Sequence, residues 1–297
     1  MFEIIYLLKI RLNLGFIIRM RKYIAILFLF FGFCLMSQPN NHFKMVAQMI
    51  DSIKMVKTVR FKVSAIERIN NKYSLAVSEN KIFSHPRKVY FINPEKKLEI
   101  LFVTGLNNNK AIVKPHIFPY FTLNLDPTGN IMRRNQHYTI NELGFEFAGK
   151  TIVLALSKEK ENLSKTLNYY GIKDKNGLKC HLFVYECKDF VFTEYTVLPK
   201  ETLSSIAIKL NLNDYMLRTK NDLFNDFGYL KTGTKIQVPT YYCKKAVFYL
   251  DEKTMLPISI SIFDEVGLFE TYDYSNIILN KPFADNEFSK EFKDYNF

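Results

Sequence analysis

Residues 195–239 read YTVLPKETLSSIAIKLNLNDYMLRTKNDLFNDFGYLKTGTKIQVP. Tyr195-Thr196-Val197 is a short run of β-formers, and Pro199-Lys200-Glu201 turns the chain into a helix beginning at Thr202. A threonine there is a good N-cap, because its side-chain oxygen can accept from a backbone N–H left free in the first turn. Leu203, Ile206, Ala207 and Leu210 follow at i, i+3, i+4 and i+7 and so share one helix face. The spacing predicts a second short helix from Asp214 to Arg218. Lys231-Thr232-Gly233-Thr234 then turns the chain into a strand from Lys235 to Val238, closed by Pro239, which cannot donate to a sheet ladder. The order is strand, helix, helix, strand. Strand-like segments flank it on both sides, so it reads as an insertion into a larger β body.

The order and spacing, with YTV, TLSSIA and LKTGTKIQVP, resemble the LysM domain, a βααβ module. The resemblance implies binding of peptidoglycan or another GlcNAc-containing glycan. In that family two loops form the groove. The corresponding residues here are Pro199, Lys200, Glu201 and Thr202 before the first helix, and Asn221, Asp222, Leu223 and Phe224 after the second. Lys200-Glu201-Thr202 stands where the family has Gly-Asp/Glu-Thr, and Asn221-Asp222-Leu223 where it has Asn-Pro-Leu. Pairing of the module's first and last strands would bring its ends together, as insertion requires. Removal of residues 195–239 is therefore expected to leave the body folded.

Working outward, 297 residues with 48% hydrophobic and 24% charged side chains allow one or two globular domains. Twenty-seven Phe and 18 Tyr with no Trp suit half-buried pleated surfaces. Phe43, Val46, Ile50 and Ile53 recur at helical spacing, predicting an amphipathic helix from His42 to Val56. Val59, Phe61 and Val63 then alternate with Arg60 and Lys62, and Tyr73, Leu75 and Val77 alternate after the turn Asn70-Asn71. These six apolar residues are the candidate lining of an apolar cavity. Further strands are predicted at Lys88 to Ile92, Leu98 to Val103, Lys110 to Val113 and Phe121 to Leu125, separated by turn signals. Apolar residues three or four apart from Phe145 to Tyr170, interleaved with Lys158, Glu159, Lys160 and Glu161, predict one long helix ending at Gly171. Cys180 to Phe192 is apolar on both faces, as in a covered central strand. Beyond the insertion, Lys245 to Leu250, Leu256 to Phe263 and Leu268 to Tyr274 complete an antiparallel meander.

The turns Asp251…Thr254-x-Leu256-Pro257 and Asp264-x-x-Gly267, with Tyr274-Ser275-Asn276, resemble the C-terminal hairpins of LolA/LolB-like lipoprotein carriers. NLDPTGNIMRRNQHYTINELGF, residues 124–145, is similar to part of an exported bacterial family of that architecture. The resemblance implies an α+β fold: a curved antiparallel sheet forming an incomplete barrel, with covering helices and a cavity for a lipid or acyl chain. It transfers no working residue to this chain. The expected organisation is an extension and signal peptide at 1–37, a discontinuous carrier-like domain at 41–193 and 240–297, and the LysM module at 194–239.

Met20-Arg21-Lys22 before the apolar run from Tyr23 to Met36 has the form of a secretory signal, with cleavage before Gln38 and with Met20 an alternative start. The run falls short of the ~20 residues that span a bilayer. Phe33 before Cys34 argues against lipidation. Loss of residues 1–37, which carry five cations and one anion, lowers the formal net charge from +12 to +8. That charge attracts anionic surfaces, but no nucleic-acid motif accompanies it. An exported protein of the periplasm or cell envelope follows.

No nucleophile elbow, phosphate loop or dinucleotide fingerprint occurs, and no pair among His42, His85, His116, His137 and His181 has the spacing of a helical zinc site. No enzyme activity, cofactor or metal is expected. Arg133, Arg134 and His137 form a polar cluster, either an anion site or a solvated turn. Cys187 and Cys243 flank the insertion, where a bridge at its base is one possibility, whereas Cys180 and Cys187 share one extended segment and cannot meet. The function expected is a non-enzymatic envelope protein that binds glycan and lipid. The alternative is a wall-anchoring scaffold with a filled core.

Overall fold

The computed structural model describes residues 41–118, 120–158 and 163–297. The expected signal peptide and its cleavage site, Cys34, the choice of start and the charges at 159–161 lie outside the described residues. The chain divides into units at 1–46 and 47–297. Of the first, residues 41–46 are described, as the opening turns of helix α1 (Asn41–Lys54).

The second unit is built on an antiparallel sheet. Its strands are β1 (Thr58–Ile69), β2 (Lys72–Phe83), β3 (Lys88–Asn93), β4 (Leu98–Val103), β5 (Ala111–Pro115), β6 (Leu123–Leu125), β7 (Leu167–Lys175), β8 (Leu178–Glu186), β11 (Lys245–Asp251), β12 (Pro257–Phe263) and β13 (Leu268–Leu279). Their order is β6-β5-β4-β3-β2-β1-β13-β12-β11-β8-β7, a linear series that leaves β6 and β7 as edges, so the sheet is curved but not closed. β9 (Phe192–Thr196) and β10 (Lys235–Pro239) form a separate two-stranded sheet. Between them run α5 (Leu203–Leu210) and α6 (Asp214–Lys220). Body strands β8 and β11 pair directly, Glu186 opposite Lys245, so the whole strand-helix-helix-strand unit is inserted between two neighbours of one sheet.

Cross-strand pairing shows which side chains share a face. Ala65 lies opposite both Ala76 and Tyr272, and Val63 opposite Ser78 and Tyr274. The face continues through Ile260, Phe248 and Phe183, which lie opposite one another in turn. Helices α2 (Asn130–Arg133) and α3 (Phe145–Ser157), with the segment joining them, cover this face. Phe145 approaches Phe61 at 6.1 Å and Tyr274 at 5.1 Å between ring centroids. Gly144 makes that approach possible: its φ is +83°, and a Cβ there would lie 2.9 Å from Ile82 Cδ1. On the opposite face, Tyr90 and Leu101 are covered by the C-terminal segment, where Tyr295 stacks on Tyr90 at 3.7 Å. Glu287 ties this segment down by ion pairs to Arg60 at 3.0 Å and Lys81 at 2.9 Å.

The long helix predicted to reach Gly171 is not formed. α3 ends at Ser157, α4 is a single turn (Leu163–Thr166), and Leu167 and Tyr170 belong to edge strand β7. A register shift between Tyr169 and Ile172, with Gly171 at φ +78°, puts a bulge in that strand and mimics helical spacing of its apolar residues. Cys180, Cys187 and Cys243 are buried, and the possible Cys187–Cys243 bridge is not formed. Burial pushes the Cys180 thiol up to about 11.

Candidate functional site: an apolar cavity and a docked insertion

The alternation of small and large residues on β1 and β2 leaves space between the sheet and its cover. A cavity of about 400 Å³ lies there, within the ~300–1,000 Å³ typical of small-ligand sites. Phe61, Val63 and Ala65 from β1, Ala76 from β2, and Phe91, Ile100, Val113 and Leu125 from β3 to β6 form its wall. Met132, Ile140, Leu143 and Phe147 form the cover. Exposed Lys96, Arg134 and Gln136 stand on its rim.

One end is polar. Glu67 lines the cavity and accepts a hydrogen bond from the Tyr272 hydroxyl. Burial, and then Glu67 and Glu270, push the Tyr272 hydroxyl well above its usual pKa, so it stays a donor. Tyr138, also in the lining, donates to Glu270 and meets the Tyr242 hydroxyl at 3.0 Å. Behind it, His137 Nδ1 lies 2.7 Å from Glu270 Oε2, and its Nε2 lies 3.2 Å from the Arg68 carbonyl. Burial opposes protonation of His137, yet the Glu270 bond and the charge of Glu67 hold its pKa above the usual value. Burial likewise raises Glu270, against the pull of His137. This network satisfies buried polar groups that would otherwise be costly.

Two of the six sequence-predicted cavity residues line it, and four do not. Phe61 and Val63 line the cavity, and Val59 is buried without lining it. Tyr73 and Leu75 are instead 59% and 57% exposed, and Val77 is half-buried opposite Ser64 on the other face. Asn70 and Asn71, with φ of 49° and 61°, make a two-residue turn that pairs Ile69 with Lys72. That register sets odd-numbered residues of β1 opposite even-numbered residues of β2, so Ser74, Ala76 and Ser78 face the cavity. The two-residue turn was the signal that could have found them.

In the inserted unit, Thr202 caps α5: its Oγ1 accepts from Ser205 N at 3.0 Å, and Ser205 Oγ accepts from Thr202 N at 2.8 Å. Val197, Leu203, Ile206, Ala207, Leu217, Ile236 and Val238 form a core of its own. Glu201 receives Leu198 N at 2.9 Å and the Tyr195 hydroxyl and Lys209 at 2.8 and 3.1 Å. Burial opposes its ionisation, but these bonds hold its carboxyl below the usual range. Asn221 is also engaged, accepting from Gln237 N at 2.7 Å and donating to Gln237 O and Leu217 O at 2.8 Å. Leu223 packs on the core. Pro199 and Lys200 are in the turn before α5. Asp222 and Phe224 line a wide surface hollow with Asn70, Asn71 and Asn135 of the body. That hollow includes none of Pro199, Lys200, Glu201 or Thr202. Two predicted loops thus exist as loops, and Glu201, Thr202 and Asn221 hold the unit's own backbone.

Arg133 and His137, grouped in the sequence, point to different partners. Arg133 pairs with Asp214 of the insertion, while His137 is in the body's core. Asp214 also takes Ser204 Oγ at 2.7 Å and Arg218 at 3.2 Å. Burial raises its pKa, but Arg133 and Arg218 outweigh this and hold the carboxyl below its usual range. Among the described residues no His/Cys/Asp/Glu cluster suits a metal ion, and no helix is long and apolar enough to cross a membrane.

Residues 56–190, most of the first body segment, match a family described as "Protein of unknown function (DUF1571)". No curated protein matches the chain. Among solved structures, lipoprotein LppX of Mycobacterium tuberculosis is similar at 14% identity and a TM-score of 0.39, over 81% of this chain and 96% of that one. LprF of Mycobacterium bovis is similar at 9% identity and a TM-score of 0.36, over 81% and 96%. Pseudomonas aeruginosa MucB, solved with MucA, gives 10% and 0.37, over 82% of this chain and 59% of that one. These likenesses are distant.

Proposed function

We propose that the protein is a non-enzymatic, exported cell-envelope protein whose body carries a lipid or acyl chain and whose insertion is a LysM module that contacts peptidoglycan or a related GlcNAc glycan. The open, mainly apolar cavity against β1 to β6 carries this reading. It supports a LolA/LolB-like carrier over a scaffold with a filled core, because an interior meant only for stability is close-packed. The strand-helix-helix-strand order with its own core supports the module. Lys200, where the LysM family has glycine, adopts φ +63°, the region glycine favours.

Titration of the purified protein with an apolar fluorophore, and with lipid displacing it, tests the carrier. Ala76→Phe places a ring in the cavity and should weaken probe binding about tenfold or more with the fold retained. Wild-type protein that binds neither probe nor lipid favours the scaffold. Sedimentation with purified peptidoglycan tests the module; Asp222→Ala with Phe224→Ala should reduce the bound fraction, and an unchanged fraction removes that loop from the groove.

A further inference from the structure

A second cavity, of about 170 Å³, lies where the inserted unit meets the body. Arg133, Lys150, Thr151 and Tyr242 line it from the body, and Asn213 and Asp214 from the insertion. Among the described residues, some buried side-chain N and O atoms lack a hydrogen-bond partner. Arg133 Nε, Thr151 Oγ1 and Asn213 Nδ2 are such atoms, and all three residues line this cavity. Thr151 is 2% and Asn213 4% exposed. Such groups are costly to leave unpaired, because burial strips their water without replacing it.

The remaining capacity of these side chains is fixed. Asn213 Oδ1 accepts from Tyr215 N and Met216 N at 2.9 and 3.1 Å, which assigns the open end of the amide as its NH₂. Arg133 gives its terminal nitrogens to Asp214 and Ser204, leaving Nε. Burial, and then the charge of Glu270, raise the Tyr242 hydroxyl above its usual pKa, tempered by Tyr138 and by the nearby Thr151 and Asn213. Neither meets hydrogen-bond geometry, and the Tyr242 hydroxyl pairs with Tyr138 instead. All three open groups can donate, so the missing occupant supplies acceptor oxygens. Arg133 and Lys150 in the lining, with Arg218 on Asp214, outnumber Asp214 and Glu142, and the local excess of one positive charge suits a monoanion.

We propose that this cavity binds a small oxyanion, a carboxylate or phosphate group, held by Arg133, Thr151 and Asn213 between the insertion and the body. The site does not depend on the lipid or glycan reading. Full-length protein is titrated by NMR with sodium acetate and, separately, sodium phosphate, with chloride holding ionic strength constant. Saturable shifts of the Asn213 side-chain amide are expected, and Thr151→Val, near in shape but without the hydroxyl, should weaken binding about tenfold. A response to acetate alone assigns a carboxylate, and one to phosphate alone a phosphate. Asn213→Asp keeps the helix cap but turns an oxygen on the anion, and should abolish binding even if Thr151→Val fails to fold. Shifts no larger than chloride produces, or unchanged affinity in both variants, overturn the site and leave ordered water as its occupant.

Discussion

The ring of Tyr215, in the inserted unit, stacks on the imidazole of His137, in the body, with centroids 4.4 Å apart and planes 27° from parallel. Phe269 stacks on His137 as well, at 4.2 Å, and the Tyr215 hydroxyl accepts from Asn70 N at 3.2 Å. The insertion is therefore part of the cover over the His137–Glu270 pair, not a pendant domain. Residues 195–239 were expected to be removable; this packing predicts that replacing them with a short linker destabilises the body. Tyr215→Ala should cost about 3 kcal/mol, the range for truncating a buried aromatic, in urea unfolding followed by circular dichroism. A cost below ~1 kcal/mol would show that the two parts are energetically independent.

The Arg133–Asp214–Arg218 contact gives that docking a pH dependence. The folded pKa of Asp214 is depressed, so its contribution is present above the unfolded value of about 3.9 and is lost as pH falls through the folded value. Asp214→Asn should therefore be less stable than wild type by about 3 kcal/mol at neutral pH, the scale for breaking a buried ion pair. The gap should close below the carboxylate range. A gap that stays constant on acidification would mean that Asp214 is not the titrating group.

What the sequence made legible follows from how local each signal is. β3 and β4 were predicted within a residue, since alternation and the turns at Asn93-Pro94 and Gly105 are local. Helix α1 and the insertion's elements were placed for the same reason. The face of β2 was not: Tyr73, Leu75 and Val77 look like core, but cross-strand register places them outside. The start of β7 has helix-like spacing because a bulged edge strand, with Tyr170 54% exposed, carries no clean period of two. Glu67, Tyr138 and Tyr272 come together from three distant segments. Nothing near any one of them in sequence marks the others.

Lys200 tests the backbone of the insertion's first loop. A left-handed φ costs a residue with a Cβ roughly 1–2 kcal/mol, partly offset by the ~0.5–1 kcal/mol that glycine loses in chain entropy. Lys200→Gly should raise stability by up to about 1 kcal/mol, seen as a higher urea midpoint with an unchanged slope. Destabilisation would show that the lysine side chain makes contacts worth more than the relief of its φ.

Gly149 and Ile53 mark where α1 meets α3. A Cβ on Gly149 would lie 2.3 Å from Ile53 Cδ1, while the next atom, Ile53 Cγ1, is at 3.7 Å, an ordinary contact. The clash therefore concerns one methyl group. Gly149→Ala gains roughly 1 kcal/mol of helix propensity, but overpacking costs about 1–3 kcal/mol, so a net loss of up to about 2 kcal/mol is expected. Ile53→Val removes Cδ1 alone and should cost about 1 kcal/mol. In the double variant the alanine methyl takes the space that Cδ1 left, so the losses should not add, and the combined protein should be at least as stable as Ile53→Val. Coupling of this kind between touching side chains is ~0.5–3 kcal/mol. Strict additivity in chemical unfolding would show that Ile53 swings clear of Gly149 without strain.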